Sequence, residues 1–259
     1  MTQKEMQPEK NIKLISLNIE GDRHMDTVIP FLLRECPDVL CLQEVFEKDI
    51  PVIEKALEMK GAFAAITIPD LILKDGVLVI DEDRAKQGPQ GVALFARAPS
   101  LYVRPDYYFG TPTDVPRRSV GYNRIFLSAD IEKDGVHYIV GNTHFTWTPD
   151  GQASEEQHRD LKELFKILEQ FPEIVFCGDF NAPRGREIWE EIAKKYRDNI
   201  PMKYQTSLDQ KLHQVKGLQY VVDGLFSTPE YWCTETKLID GVSDHMAIVS
   251  HIERIPPYS

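Results

Sequence analysis

Residues 174–181 read Ile-Val-Phe-Cys-Gly-Asp-Phe-Asn. The apolar run Ile174 to Cys177 has the length and composition of a buried strand, flanked by Pro172 on one side and Gly178 on the other. Asp179 and Asn181 follow at once, so the strand delivers a carboxylate and an amide at its end. Alone, the pair could be an Asx turn.

The same pattern recurs along the chain. Asn18 follows Ile-Ser-Leu, and Glu44 follows Leu-Cys-Leu-Gln. Asn142 to His144 follow Tyr-Ile-Val-Gly, Asp223 follows Tyr-Val-Val, and Asp244 and His245 precede Ala-Ile-Val. Strand ends can present side chains to a common rim while the core fixes their geometry. A lone Asn18 reads as a strand-end cap, but Glu44 resists a structural reading, because a buried carboxylate needs a partner.

Between these points lie further elements. Strands are expected at Lys13–Leu17, Val39–Val45, Gly91–Ala96, Leu101–Phe109, Val120–Ile131, Val136–Phe145, Tyr220–Phe226, Thr234–Leu238 and Met246–Ile252. Helical spacing appears over Asp26–Cys36, Pro51–Met59, Ser154–Phe171 and Arg186–Tyr196. Ser154 with Gln157 three residues on has the form of a capping box. Ile68–Pro89 fits no element and reads as a loop beside the site. Many strands with a few helices between them suggest an α+β fold of two packed sheets flanked by helices. No repeat or linker divides the chain, so a polar tail over residues 1–12 and one domain over residues 13–259 are expected.

Composition narrows the function. Hydrophobic residues make up 42% and charged residues 27%, and the net charge is −11. That charge excludes a generally basic nucleic-acid-binding surface and disfavours a processive, high-affinity nuclease. It leaves room for a local basic cleft beside a bound cation. Cys36, Cys41, Cys177 and Cys233 show no metal-type pairing. Met1–Lys10 lacks the apolar segment of a secretory signal, and no apolar run is long enough to span a bilayer. A cytoplasmic, membrane-free protein is the expectation.

The chemistry that uses such a rim is phosphate-ester hydrolysis at a hard cation. Mg²⁺ takes oxygen ligands, usually one or two carboxylates with water and substrate phosphate. Glu44 suits that role. A water still needs a base, and histidine titrates nearest neutrality. An aspartate beside the histidine would fix its tautomer.

In order, the chain carries Leu-Asn-Ile-Glu-Gly, Leu-Gln-Glu-Val, Asn-Thr-His-Phe, Gly-Asp-Phe-Asn-Ala-Pro, Val-Asp-Gly-Leu-Phe and Ser-Asp-His. This series resembles the endonuclease/exonuclease/phosphatase superfamily over roughly Lys13 to Ile252. The resemblance implies the DNase I-like four-layer α/β-sandwich, with two mainly antiparallel β-sheets flanked by helices. It implies Glu44 as principal Mg²⁺ ligand, with Mn²⁺ able to substitute, and Asn18 and Asp244 near the metal or the attacking water. Asp179 is expected to position or deprotonate that water, Asn181 to donate to the scissile phosphate, and His144 to donate to a phosphoryl oxygen or leaving group. His245, oriented by Asp223, is expected as base or phosphate-stabilising imidazole; either it or Asp179 takes the proton. Glu20 stands where repair endonucleases usually have Asp, and Gly224 where an aromatic is usual. Arg117, Arg118 and Arg124 are candidate phosphate contacts, Arg124 foremost, with a solvated charge run as the structural alternative, and Trp147 is a candidate stacking ring. His24, His137, His158, His213 and His251 lie in no motif and read as structural or solvated. The implied function is a nuclease or nucleotide phosphodiesterase acting on nucleic acid or a nucleotide; a monomer is expected. A small-molecule phosphatase of inositol-phosphate or phospholipid type is the runner-up, and an inactive binding module of the same fold is a third reading.

Overall fold

The computed structural model describes residues 11–74, 77–97 and 101–255. In chain order the elements are β1 (Asn11–Asn18), α1 (Met25–Glu35), β2 (Val39–Phe46), α2 (Ile50–Leu57), β3 (Lys60–Thr67), β4 (Leu71–Lys74), β5 (Val77–Ile80) and α3 (Glu82–Ala85). They continue with β6 (Gln90–Ala96), β7 (Leu101–Phe109), β8 (Arg124–Lys133), β9 (Val136–His144), α4 (Glu155–Leu168), β10 (Val175–Asp179) and α5 (Glu187–Lys195). Last come β11 (Arg197–Asp198), β12 (Asp223–Ser227), β13 (Tyr231–Ile239) and β14 (Ala247–Arg254).

Two six-stranded sheets result, ordered β13-β14-β1-β2-β6-β3 and β11-β12-β10-β9-β8-β7, with β4 and β5 as a separate antiparallel pair. In each sheet one parallel pair, β1 with β2 or β9 with β10, has antiparallel neighbours on both sides. The apolar runs are continuous because both faces of the first sheet are covered. Leu14, Cys41 and Leu94 face the second sheet, while Ile15, Leu40, Leu42 and Phe95 join Val28, Phe31, Leu32, Ile53 and Leu57 of α1 and α2. The amphipathic α4 packs on β7 and β8. This is the DNase I-like arrangement, with helices outside two packed sheets.

Chain direction explains the rim. Parallel neighbours end on the same side, and an antiparallel neighbour begins there. Asn18 and Glu44, near the ends of β1 and β2, therefore share an edge with His144 and Asp179 at the ends of β9 and β10. Arg124, Asp223 and the Asp244–His245 pair stand at or just before the starts of β8, β12 and β14.

Some expectations shift. Residues 120–123 and 220–222 are loop, so β8 starts at Arg124 and β12 at Asp223. Helix α4 ends at Leu168, three residues short of Phe171. The described residues of the stretch Ile68–Pro89 hold the paired strands β4 and β5 and helix α3 rather than a plain loop. Met1–Lys10 of the expected tail lie outside the described residues, and β1 begins at Asn11. Among the described residues, no helix is long and apolar enough to cross a membrane.

Gly178 sets the spacing of β9 and β10. Its φ is +147°, and a Cβ there would lie 1.9 Å from the Thr143 carbonyl oxygen. Only glycine permits that approach. Gly178→Ala is expected to lose about 2 kcal/mol or more by urea denaturation. An unchanged midpoint would mean the strands part freely.

Candidate active site

The position of Glu44 depends on an irregularity in β2. Leu42 pairs with Ala93 of β6, but the next pair is Val45 with Gly91, and Glu44 has a φ of 56°. The bulge disturbs the ladder and re-aims a side chain. Asn142, fully buried on β9, reaches across from the other sheet. Its Nδ2 donates to the Leu42 carbonyl at 2.9 Å and the Ala93 carbonyl at 2.8 Å, and its Oδ1 accepts from Gln43 Nε2 at 2.7 Å. Gln90 Nε2 donates to the Glu44 carbonyl at 3.0 Å. The Glu44 carboxylate is thus left at the rim, accepting from Asn18 Nδ2 at 3.3 Å.

Register aligns three polar residues in one row: Asp179 pairs with His144 on one side and Asp223 on the other. Asp179 Oδ2 accepts from Asn18 Nδ2 at 3.1 Å and lies 3.6 Å from His144 Nε2 and 3.9 Å from His245 Nε2. Its Oδ1 accepts the Asn181 backbone N–H at 2.8 Å, which is the Asx turn foreseen as the structural alternative. His144 Nε2 also stands 3.9 Å from Glu44 Oε1. The Asn181 side chain donates to the Phe145 carbonyl at 3.0 Å.

Asp223 grips His245. Its oxygens lie 2.9 and 3.1 Å from His245 Nδ1. Ser207, a residue the motifs did not mark, donates from Oγ to Asp223 Oδ2 at 2.6 Å and accepts the Val222 and Asp223 N–H groups. Gly224 is explained by packing: a Cβ there would meet the Phe226 ring at 2.6 Å and the Phe180 ring at 2.9 Å.

A second group adjoins the first. Glu20 faces His24 Nε2 at 3.0 Å, pairs with Arg23, and accepts from Gln214 Nε2 at 2.5 Å. Ligand atoms of Glu20, His24 and Asp244 lie within 4.8 Å of one another, as do those of His213, Asp244 and His245, and of Asp179, Asp223 and His245. His24 and His213, read as structural or solvated, therefore belong to this rim. No motif flagged them, because loops far apart in sequence bring them in. Asp209 makes one such link by accepting N–H groups from Lys211, Leu212 and Gly241, which pins the loop bearing His213 near Asp244.

Arg124 donates from Nη1 to the His144 carbonyl at 3.2 Å and from Nε to Thr146 Oγ1 at 3.1 Å, and stacks on Tyr122. Its fork is engaged in holding the His144 segment. Gln157 completes only half of a capping box: its N–H meets Ser154 Oγ, but its side chain donates to the Thr146 and Asn181 carbonyls. Trp147 is 58% exposed, and among the described residues it stacks on no other ring.

The site charges its histidines in opposite senses. Burial pulls His144 down to about 4, helped by Arg124 and against Asp179. Burial also opposes charge on His245, but Asp223 and then Asp179 outweigh it and hold the ring protonated well above the usual range. Burial raises Asp179, and His245 opposes the rise. Burial pushes Asp244 up to about 6, with Glu20 and Glu44 adding to the shift against His245. Carboxylates crowded until one resists ionisation form a donor set suited to a divalent cation.

Residues 15–234 match the model of the Endonuclease/Exonuclease/phosphatase family. The chain belongs to this family, whose members are phosphoester hydrolases. It is 25% identical over 171 residues to Nocturnin of Drosophila melanogaster, a match covering 64% of this chain but only a quarter (25%) of that protein's length. A solved endonuclease/exonuclease/phosphatase from Bacteroides vulgatus has a TM-score of 0.67 at 18% identity, covering 94% of this chain and 99% of that one. The human Nocturnin catalytic domain with bound sulfate anion gives 0.65 at 16% identity, covering 95% and 94%.

The depressed His144 has a consequence for stability. Between pH 6.5 and about 4 the unfolded chain binds a proton there that the folded chain refuses. Stability from this group is full above pH 6.5 and is lost as pH falls. Metal-free protein is expected to lose about 2 kcal/mol more between pH 7.5 and 5 than His144→Gln does. Parallel urea midpoints for the two proteins would refute the buried neutral ring.

Proposed function

We propose that this chain is a Mg²⁺-dependent phosphodiesterase acting on nucleic acid or nucleotides. The observation that carries the reading is Asp179 Oδ2, which faces the Asn18 amide and both histidine rings within 3.9 Å. A water beside that oxygen would be oriented for in-line attack. Glu44, Asn18 and Asp244 would hold the cation, and Mn²⁺ would serve in its place. When bound, the cation supplies Lewis-acid polarisation of the phosphoryl group.

The rest falls to side chains. Asp223 favours the protonated form of His245, which disfavours that ring as the acceptor; Asp179, whose pKa burial raises, is the proton acceptor in this reading. The charged His245 then faces the developing negative charge on the phosphoryl oxygens. His144, neutral, donates one hydrogen bond to a phosphoryl oxygen or the leaving group. Asn181 has one amide hydrogen committed to Phe145 and the other for the phosphate. A diester of nucleic-acid type suits the exposed ring of Trp147, three residues beyond His144 in the chain, since every base can stack on such a ring.

Hydrolysis of short oligonucleotides, nucleotide diesters and phosphomonoesters, compared with and without EDTA, tests the reading. Activity on diesters that EDTA abolishes and Mg²⁺ or Mn²⁺ restores is expected, with Glu44→Gln requiring more metal for half-maximal rate. Full turnover in EDTA would overturn the mechanism, and exclusive monoester cleavage would point to a small-molecule phosphatase.

A thermodynamic cycle tests the pairing of Asp223 with His245. His245→Ala is expected to lower kcat by about 10²–10³-fold, and Asp223→Asn by less. The double variant should be scarcely worse than His245→Ala. Losses that multiply would reduce Asp223 to a structural role.

A further inference from the structure

The segment that fits no sequence pattern, residues 68–89, brings an arginine to the mouth of this site. Asp81 caps α3, its Oδ1 accepting the Asp83 and Arg84 N–H groups at 2.9 and 3.0 Å. Glu82 holds Arg117 through two hydrogen bonds of 2.6 and 3.0 Å. The buried Asp70 accepts from the Ser119 N–H at 2.9 Å and the Ser119 hydroxyl at 2.5 Å. Two separate anchors therefore tie the segment to residues 117–119 and fix two neighbouring positions, Arg84 and Arg118.

Unlike Arg117 and Arg124, these two guanidinium groups are not engaged. Among the described residues, neither Arg84 nor Arg118 makes a side-chain hydrogen bond or ion pair. Arg84 is nevertheless half-buried. Burial lowers its pKa, and the charges of Arg23 and Arg118 lower it further, while Glu44 and Glu20 pull the other way. Those carboxylates do not outweigh the lowering, and Glu20 is already paired with Arg23. Lys48 Nζ joins Gln87 Oε1 at 2.5 Å to Asp22 Oδ2 at 2.9 Å, and Gln90 Nε2 donates to the Glu44 carbonyl at 3.0 Å, which sets the end of this segment beside the Glu20 and Glu44 side of the rim; Arg118 in turn acts on His144. In a chain of net charge −11, cations held together without an anion are against the general composition. Arg118 is exposed, so its guanidinium is open to a ligand arriving from solvent.

We propose that Arg84 and Arg118 form a second anion subsite at the mouth of the active site, which takes a further phosphate group of the substrate beside the one cleaved. Planar guanidinium forks suit phosphate oxygens. This deepens the phosphodiesterase reading and rests on it for the position of the cleaved bond. The preferred substrate then carries two phosphates a short distance apart, the second being a terminal monoester or the next diester of a chain.

The test compares thymidine dinucleotide dT₂, its 5′- and 3′-phosphorylated forms, and dT₃ as Mg²⁺-dependent substrates. Either phosphorylated form, or dT₃, is expected to exceed dT₂ in kcat/KM by about tenfold or more. The phosphorylated dinucleotides reveal a monoester contact and dT₃ a diester contact. In R84A/R118A the kcat/KM on the favoured substrate should fall at least about tenfold further than on dT₂, mainly through KM, with R84K recovering part of the loss. Urea midpoints check that the variants fold. Pyrophosphate binding by calorimetry in EDTA gives an independent arm, expected to weaken by a similar factor in the double variant. Equal kcat/KM on all four substrates, or pyrophosphate binding unchanged by R84A/R118A, overturns the subsite. Weakened pyrophosphate binding with no hydrolysis of any substrate would support the subsite and sink the phosphodiesterase reading.

Discussion

The buried bridge from Asn142 to Gln43 joins the two sheets at the point where the site needs them fixed. A bulge in β2 frees backbone carbonyls in the core, and a free buried carbonyl is costly. The Asn142 amide satisfies both the Leu42 and Ala93 carbonyls while its oxygen accepts from Gln43. The bulge that turns Glu44 outward is therefore stable only while β9 lies against β2. The same strand, two residues further on, carries His144. The spacing between Glu44 on one sheet and His144 on the other is thus set by a polar contact with little freedom to slide, inside an otherwise apolar interface.

Around that fixed spacing the protein obtains two charge states from one residue type. His144 and His245 flank the same carboxylate and are both removed from water. They differ in what backs them. His245 has a carboxylate on Nδ1, itself braced by Ser207, whereas His144 is backed by burial and the positive charge of Arg124. Pairs of titratable groups pushed apart in this way divide acid and base work within a single pocket.

Much of this was legible in the sequence because strands end abruptly. An apolar run followed by Asp, Asn, His or Glu marks both a strand and its terminus, and so Asn18, Glu44, His144, Asp179, Asp223 and His245 stand together. What escaped notice lacks that contrast. Strand β3, Lys-Gly-Ala-Phe-Ala-Ala-Ile-Thr, is rich in alanine and glycine, which strand propensity disfavours; pairing with β6 carries it instead. His24 and His213 sit in polar loops where local sequence says nothing about tertiary neighbours. Gln157 looked like a capping partner, but the Thr146 and Asn181 carbonyls compete for its amide. Arg84 lies on a four-residue helix too short for any periodicity to announce.

The order of strands has a temporal meaning as well. The second sheet is built from the consecutive strands β7 to β12, whereas the first begins with β1 and is completed by β13 and β14, which pair with one another and, through β14, with β1. Asp244 and His245 enter on that closing connection. During synthesis, a nascent chain can form the row of His144, Asp179 and Asp223 before the charged imidazole exists to join it. Contacts so distant in sequence form late. The row is therefore completed only when almost all of the domain has been made.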